Sequence, residues 1–142
     1  MSAETPRNRI LAVLEADAQA SYAEIAERAG VSKPTVRKYI DELEDNGVIV
    51  GYSADIDPKK LSGTSIALVG IEAESDQFVD VTERLRELEA VESLFSSSGD
   101  HMLMAEVRGE NGVAVGDVIR REILSIDGVS AAHPCFLQER LK

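Results

Sequence analysis

The sequence predicts an α+β protein, with three helices first and a strand-helix-strand-strand-helix-strand alternation after them. Up to about residue 47 the apolar side chains recur at helical spacing. From residue 65 onward, apolar runs of strand length alternate with two further helical patterns. Between the two parts, residues 57–64 gather the turn formers Asp57, Pro58, Ser62 and Gly63. The expected organisation is a helical domain over 1–50, a linking strand and hinge over 51–64, and a sheet domain over 65–142.

Ile10, Val13 and Leu14 define a first helix over 7–16. Tyr22, Ile25, Ala26 and Ala29 form one apolar stripe of a second helix, which Ser21 and Glu24 open as a capping box. Gly30 supplies the reversal, and Val31 plugs the gap between helices. Ser32 caps a third helix, with Pro34 in its first turn and Val36, Ile40 and Leu43 as its buried face. The opposite face carries Lys33, Thr35, Arg37 and Lys38, donors suited to phosphates and base edges. Beyond Lys38 the exposed positions turn acidic, at Asp41, Glu42, Glu44 and Asp45, so only the tip of this helix suits DNA. Helix, glycine turn and cation-tipped helix form the pattern of a helix-turn-helix.

After Gly47, residues 48–56 alternate as a strand would and supply the wing and link. Residues 66–73 read as a central strand, and Phe78, Val81, Leu85 and Leu88 as a helix behind Ser75 and Asp76. Residues 91–98 and 102–107 read as two strands around a tight Gly99–Asp100 turn. Val115, Val118, Ile119, Ile123 and Ile126 mark the second helix, opened by Asn111 and closed by Gly128, and residues 129–137 the last strand. This order is the ferredoxin-like βαββαβ plan. Its two helices cover one sheet face, and the bare face implies a partner.

The 142-residue chain carries a net charge of −11. Residues 1–62 hold 8 Lys and Arg against 11 Asp and Glu, whereas residues 63–142 hold 7 against 15. Acidity is thus concentrated away from the helical part, although that part is not basic either. With 5 Lys to 10 Arg, the composition suits a high-salt cytoplasm in which short screening lengths weaken repulsion from DNA. Cys135 stands alone, and neither a membrane-length apolar run nor a signal-peptide pattern is present, so a soluble, cytoplasmic protein is expected.

From about residue 7 to 142 the chain resembles the Lrp/AsnC family of leucine-responsive, "feast/famine" transcriptional regulators. The resemblance is most specific in Val31-Ser-Lys-Pro-Thr-Val36, Leu43-Glu-Asp-Asn-Gly-Val-Ile49, Ser98-Gly-Asp-His-Met-Leu-Met-Ala-Glu-Val107 and Ile126-Asp-Gly-Val129. It implies a winged helix-turn-helix joined to a ferredoxin-like effector and assembly domain. It further implies homodimers paired through their sheets and linking strands, building to tetramers or octamers. Amino-acid effectors would bind at the turn Ser98, Gly99, Asp100, His101 and Met102. Three positions depart from the family pattern: Tyr39 where an Arg is usual before Ile40, Gln19 where an Arg is common, and His101-Met102 where Tyr-Asp is typical. The last removes a carboxylate that would meet a ligand's ammonium group. The predicted DNA-binding set is Ser32, Lys33, Thr35, Arg37, Lys38 and Tyr39.

His101, His133 and Cys135 are the conceivable soft metal ligands, but the first strand of the sheet separates His101 from the other two, so no metal site and no cofactor are expected. His101 beside Asp100 offers a titratable group to any effector there. Ser96 to Ser98 serve to end a strand, and Met102 and Met104 suit packing. No phosphate-cradling loop or nucleophile elbow appears, so an enzyme is not expected. Two alternatives remain open: a haem-pathway decarboxylase on the same architecture, which would use histidines such as His101 and His133, and an architectural DNA-binding protein without an effector.

Overall fold

A computed structural model describes residues 4–142, which form two compact units, one up to Asp55 and one from Ile56 onward. The first unit packs α1 (Pro6–Ala16), α2 (Tyr22–Ala29) and α3 (Lys33–Asp45) around Ile10, Ile25, Val36 and Ile40. Each helix begins at a hydroxyl cap: Thr5, Ser21 and Ser32 accept from backbone N–H groups three residues on. At Ser21 the box is complete, because the Glu24 carboxylate accepts the Ser21 N–H at 2.7 Å while the Ser21 hydroxyl accepts the Glu24 N–H at 3.2 Å. Gly30 ends α2 at φ +68°, a left-handed conformation that only glycine takes without steric cost. Arg9 adds a tie between helices by donating from Nε to the Ala29 carbonyl at 2.8 Å.

The expected strand over 48–56 does not form. Residues 50–57 carry no regular secondary structure, and Val50 and Tyr52 are exposed. A strand needs a neighbour for its ladder of hydrogen bonds, and one copy of the first unit supplies none. Tyr52 instead donates its hydroxyl to the Glu44 carboxylate at 3.0 Å, tying the segment back to α3.

The second unit is a four-stranded antiparallel sheet in the order β2-β3-β1-β4, built from β1 (Ser65–Ala73), β2 (Val91–Ser96), β3 (Leu103–Gly109) and β4 (Val129–Phe136). Helices α4 (Phe78–Arg86) and α5 (Gly112–Val118) follow β1 and β3. Ala67, Val69 and Ile71 of β1 pack with Leu103, Ala105 and Val107 of β3 against Val81, Leu85, Val115, Ile119 and Ile123. No polar or charged residue is buried among those described, so the chemistry of this chain lies at its surface. No helix among them is long and apolar enough to cross a membrane.

Three expectations change in detail. The turn between β2 and β3 is a six-residue loop, residues 97–102, closed by Ser97 N–H donating to the Met102 carbonyl at 2.9 Å. The second helix of this unit widens at Ile119–Ile123 into a π turn, in which Leu124 N–H donates to the Ile119 carbonyl at 2.8 Å. Val115, Ile119 and Ile123 recur every four residues, a spacing that drifts around an α-helix of 3.6 residues per turn, and the wider turn offsets the drift. Finally, α4 stops at Arg86, leaving Leu88 in the following turn, half-buried against the core.

Candidate nucleic-acid interface and effector loop

The opening of α3 is built by its cap. Ser32 Oγ accepts the Thr35 N–H at 3.4 Å and shares a 2.8 Å hydrogen bond with the Thr35 hydroxyl, which fixes both side chains at the helix start. With Val36, Ile40 and Leu43 buried, Ser32, Lys33, Arg37 and Lys38 are left in solvent on the remaining surface. The positive end of the helix dipole lies at the same tip and adds to the field that an anion would meet there.

Arg37 and Tyr22 form a contact that apolar spacing obscured. The Tyr22 ring, expected in the core stripe of α2, is 38 % exposed and lies under the Arg37 guanidinium, 5.6 Å from Cζ to the ring centroid. Tyr39 is half-buried against the helical core, with Lys38 Nζ 5.6 Å from its ring centroid. Of the six residues predicted to meet DNA, Tyr39 and Thr35 are therefore the least accessible.

The five residues of the expected effector turn divide in two. Ser98, Gly99 and Asp100 form the exposed tip of the loop, where Gly99 has φ +135°, while His101 and Met102 are half-buried at its root. The Ser97 hydroxyl donates to the His101 carbonyl at 2.5 Å and holds that root in place. A groove of about 490 Å³ opens between α4 and β2 and reaches the loop's two ends at Ser96 and Leu103.

His101 does not point toward Asp100. Its Nδ1 lies 2.6 Å from Oε1 of Glu72 on β1, and its ring stacks on that of His133 from β4, with centroids 5.1 Å apart and planes 27° from parallel. β1 does lie between β3 and β4, as expected, but the His101 ring reaches across it to meet His133, so the separation does not keep the two histidines apart. Gly70 of β1 pairs with His133 in the ladder and carries no side chain, so the His101 ring lies across it. A Cβ at that position would sit 2.7 Å from Nε2 and closer still to the ring carbons. Cys135, exposed two ladder positions beyond His133 on the same strand face, stays outside this cluster.

Residues 7–50 match the winged helix-turn-helix DNA-binding family, and residues 66–142 match the Lrp/AsnC ligand binding domain. The chain belongs to the Lrp/AsnC family. It is 71 % identical over the whole of both chains to the HTH-type transcriptional regulator LrpA1 of Halobacterium salinarum, whose source accords with the high-salt reading of the charge. It is 39 % identical over 94 % of each chain to the HTH-type transcriptional regulator LrpA of Pyrococcus horikoshii. Among solved Lrp/AsnC structures, the leucine response regulatory protein LrpA of Mycobacterium tuberculosis superposes with a TM-score of 0.76 at 28 % identity, covering 100 % of this chain and 95 % of the other. The NMB0573/L-Met complex from Neisseria meningitidis shares the fold with a TM-score of 0.73 at 22 % identity, covering 97 % of this chain and 91 % of the other. As an Lrp/AsnC member, the chain is a DNA-binding transcriptional regulator with a ligand-binding domain.

Proposed function

We propose that this regulator reads specific duplex sites with the tip of α3, as a cytoplasmic homodimer or a larger assembly, under the control of an amino acid. Lys33 and Lys38 meet phosphates, Arg37 meets a base edge or phosphate, and Ser32 and Thr35 supply hydroxyl contacts beside them. Tyr39 contributes through its phenol edge. The observation that carries the reading is α3 itself, with one side wholly buried and the other, exposed at its opening, carrying Lys33, Arg37 and Lys38. Two such helices related by a dimer axis would address half-sites one or more helical turns apart, about 34–36 Å each.

The bare face of the sheet, with Phe95 and Leu68 exposed on it, supports pairing between copies. The L-Met complex of the Neisseria neighbour supports an amino acid as the effector, and we place it at Ser98, Gly99, Asp100, His101 and Met102. This is the work of a regulator and needs no catalytic step. Genome-wide selection of bound fragments in multimolar KCl, repeated with each amino acid added, tests both halves. A recurrent two-fold motif whose recovery shifts with one amino acid is expected. A chain that stays monomeric and ignores every duplex would overturn the proposal.

A further inference from the structure

Glu72, His101 and His133 come from β1, the β2–β3 loop and β4, yet each presents a donor atom to one place on the open sheet face. The three donor atoms lie within 4.8 Å of one another. We propose that they form a binding site for a borderline divalent transition-metal ion, of which zinc is the representative. Two imidazoles and one carboxylate suit zinc, copper, nickel or iron, whereas magnesium and calcium favour all-oxygen sets. Bonds of roughly 2.0–2.2 Å place tetrahedral donors roughly 3.3 Å apart, so an ion would part the Glu72–His101 pair from 2.6 Å and turn the stacked imidazoles toward a common point. Three protein ligands leave a further position for water or a small ligand.

The site depends on Gly70. Its missing side chain lets the His101 ring cross the central strand and stack on His133, which bridges the separation that strand order imposes. The Glu72 carboxylate, 2.6 Å from His101 Nδ1, already occupies the position of a second donor. The ladder register also slips between Glu72 and Ala73, an irregularity of the kind that re-aims side chains beside sites.

The test titrates the full chain with Co²⁺, read by its visible absorption, and then with competing Zn²⁺, in multimolar KCl with excess Mg²⁺ to suppress loose binding by surface carboxylates. Saturation at about one ion per chain is expected. His133→Ala and Glu72→Gln should weaken binding by roughly tenfold or more, the scale seen when even supporting groups of metal sites are lost. Gly70→Ala should do the same without altering any ligand, by displacing the His101 ring, and Cys135→Ser should bind as the parent does. His133 is exposed, so its variant folds whatever the fate of Gly70→Ala. Unchanged binding in His133→Ala, loss of binding in Cys135→Ser, or no saturable stoichiometry would overturn the site. DNA enters none of these measurements, so failure here is distinct from failure of the DNA-reading proposal.

Discussion

Arg37 carries the heaviest load of any single side chain on α3. It is exposed, close to the helix tip, and steadied from below by the Tyr22 ring. Replacing it with alanine should cost specific binding about 1–3 kcal/mol if it reads a guanine, with a smaller loss on unrelated duplexes. Fluorescence anisotropy on selected and scrambled probes checks this, and equal losses on both would reduce Arg37 to a phosphate contact. Its place was legible in the sequence, because the buried positions Val36, Ile40 and Leu43 assign the remaining face. The ring beneath it was not, since Tyr22 falls in phase with Ile25 and Ala29 and periodicity cannot say which aromatic edge stays wet. The meeting of His101 with His133 was likewise missed, for a different reason. Strand order separates them, and the one available signal was a glycine in the middle of an apolar strand, which marks close approach by another group without naming it.

At the scale of elements, the helical starts followed from chemistry that is local in sequence. The Ser21 cap needs only Glu24, three residues on, and the observed box has both bonds. The Ser21 backbone N–H, then its hydroxyl, holds the Glu24 carboxyl below its ordinary value of 4.5. A depressed acid favours the folded state once ionised, so this contribution is present above pH 4.5 and is lost as pH falls through the lower folded value. Thermal melts from about pH 5 to about pH 3 should therefore fall more steeply for the parent than for Glu24→Gln, and parallel slopes would deny the box any part in the titration. Asp57, held low first by the Arg140 N–H and also by the Lys59 N–H, titrates in both proteins and cancels from the comparison. Elements that rest on distant partners were harder to read. Residues 48–56 have the alternation of a strand but no ladder neighbour, and the loop over 97–102 closes through Ser97 and Met102 rather than at a two-residue turn. The π turn at Ile119–Ile123 keeps Val115, Ile119 and Ile123 together on the core; their four-residue spacing stood in the sequence, but that the sheet beneath would hold all three in line did not.

For the molecule as a whole, a net charge of −11 on 142 residues governs the conditions under which it folds and binds. Each unit has its own apolar core and none of the described acidic groups is buried, so the charges repel one another across solvent that salt can screen. At 1 M salt the screening length is about 3 Å, shorter than most separations between surface carboxylates. The melting temperature should rise from low to multimolar KCl, by calorimetry on one preparation, and identical values at both ends would remove the high-salt reading. One local detail reaches the same scale. Because a bare hydrogen at position 70 lets an imidazole from the loop lie across the middle strand, that loop is moored at the centre of the sheet and not at its rim. Even the smallest side chain added at position 70 would push the imidazole off the strand and leave the loop anchored only by the Ser97 bonds at its root.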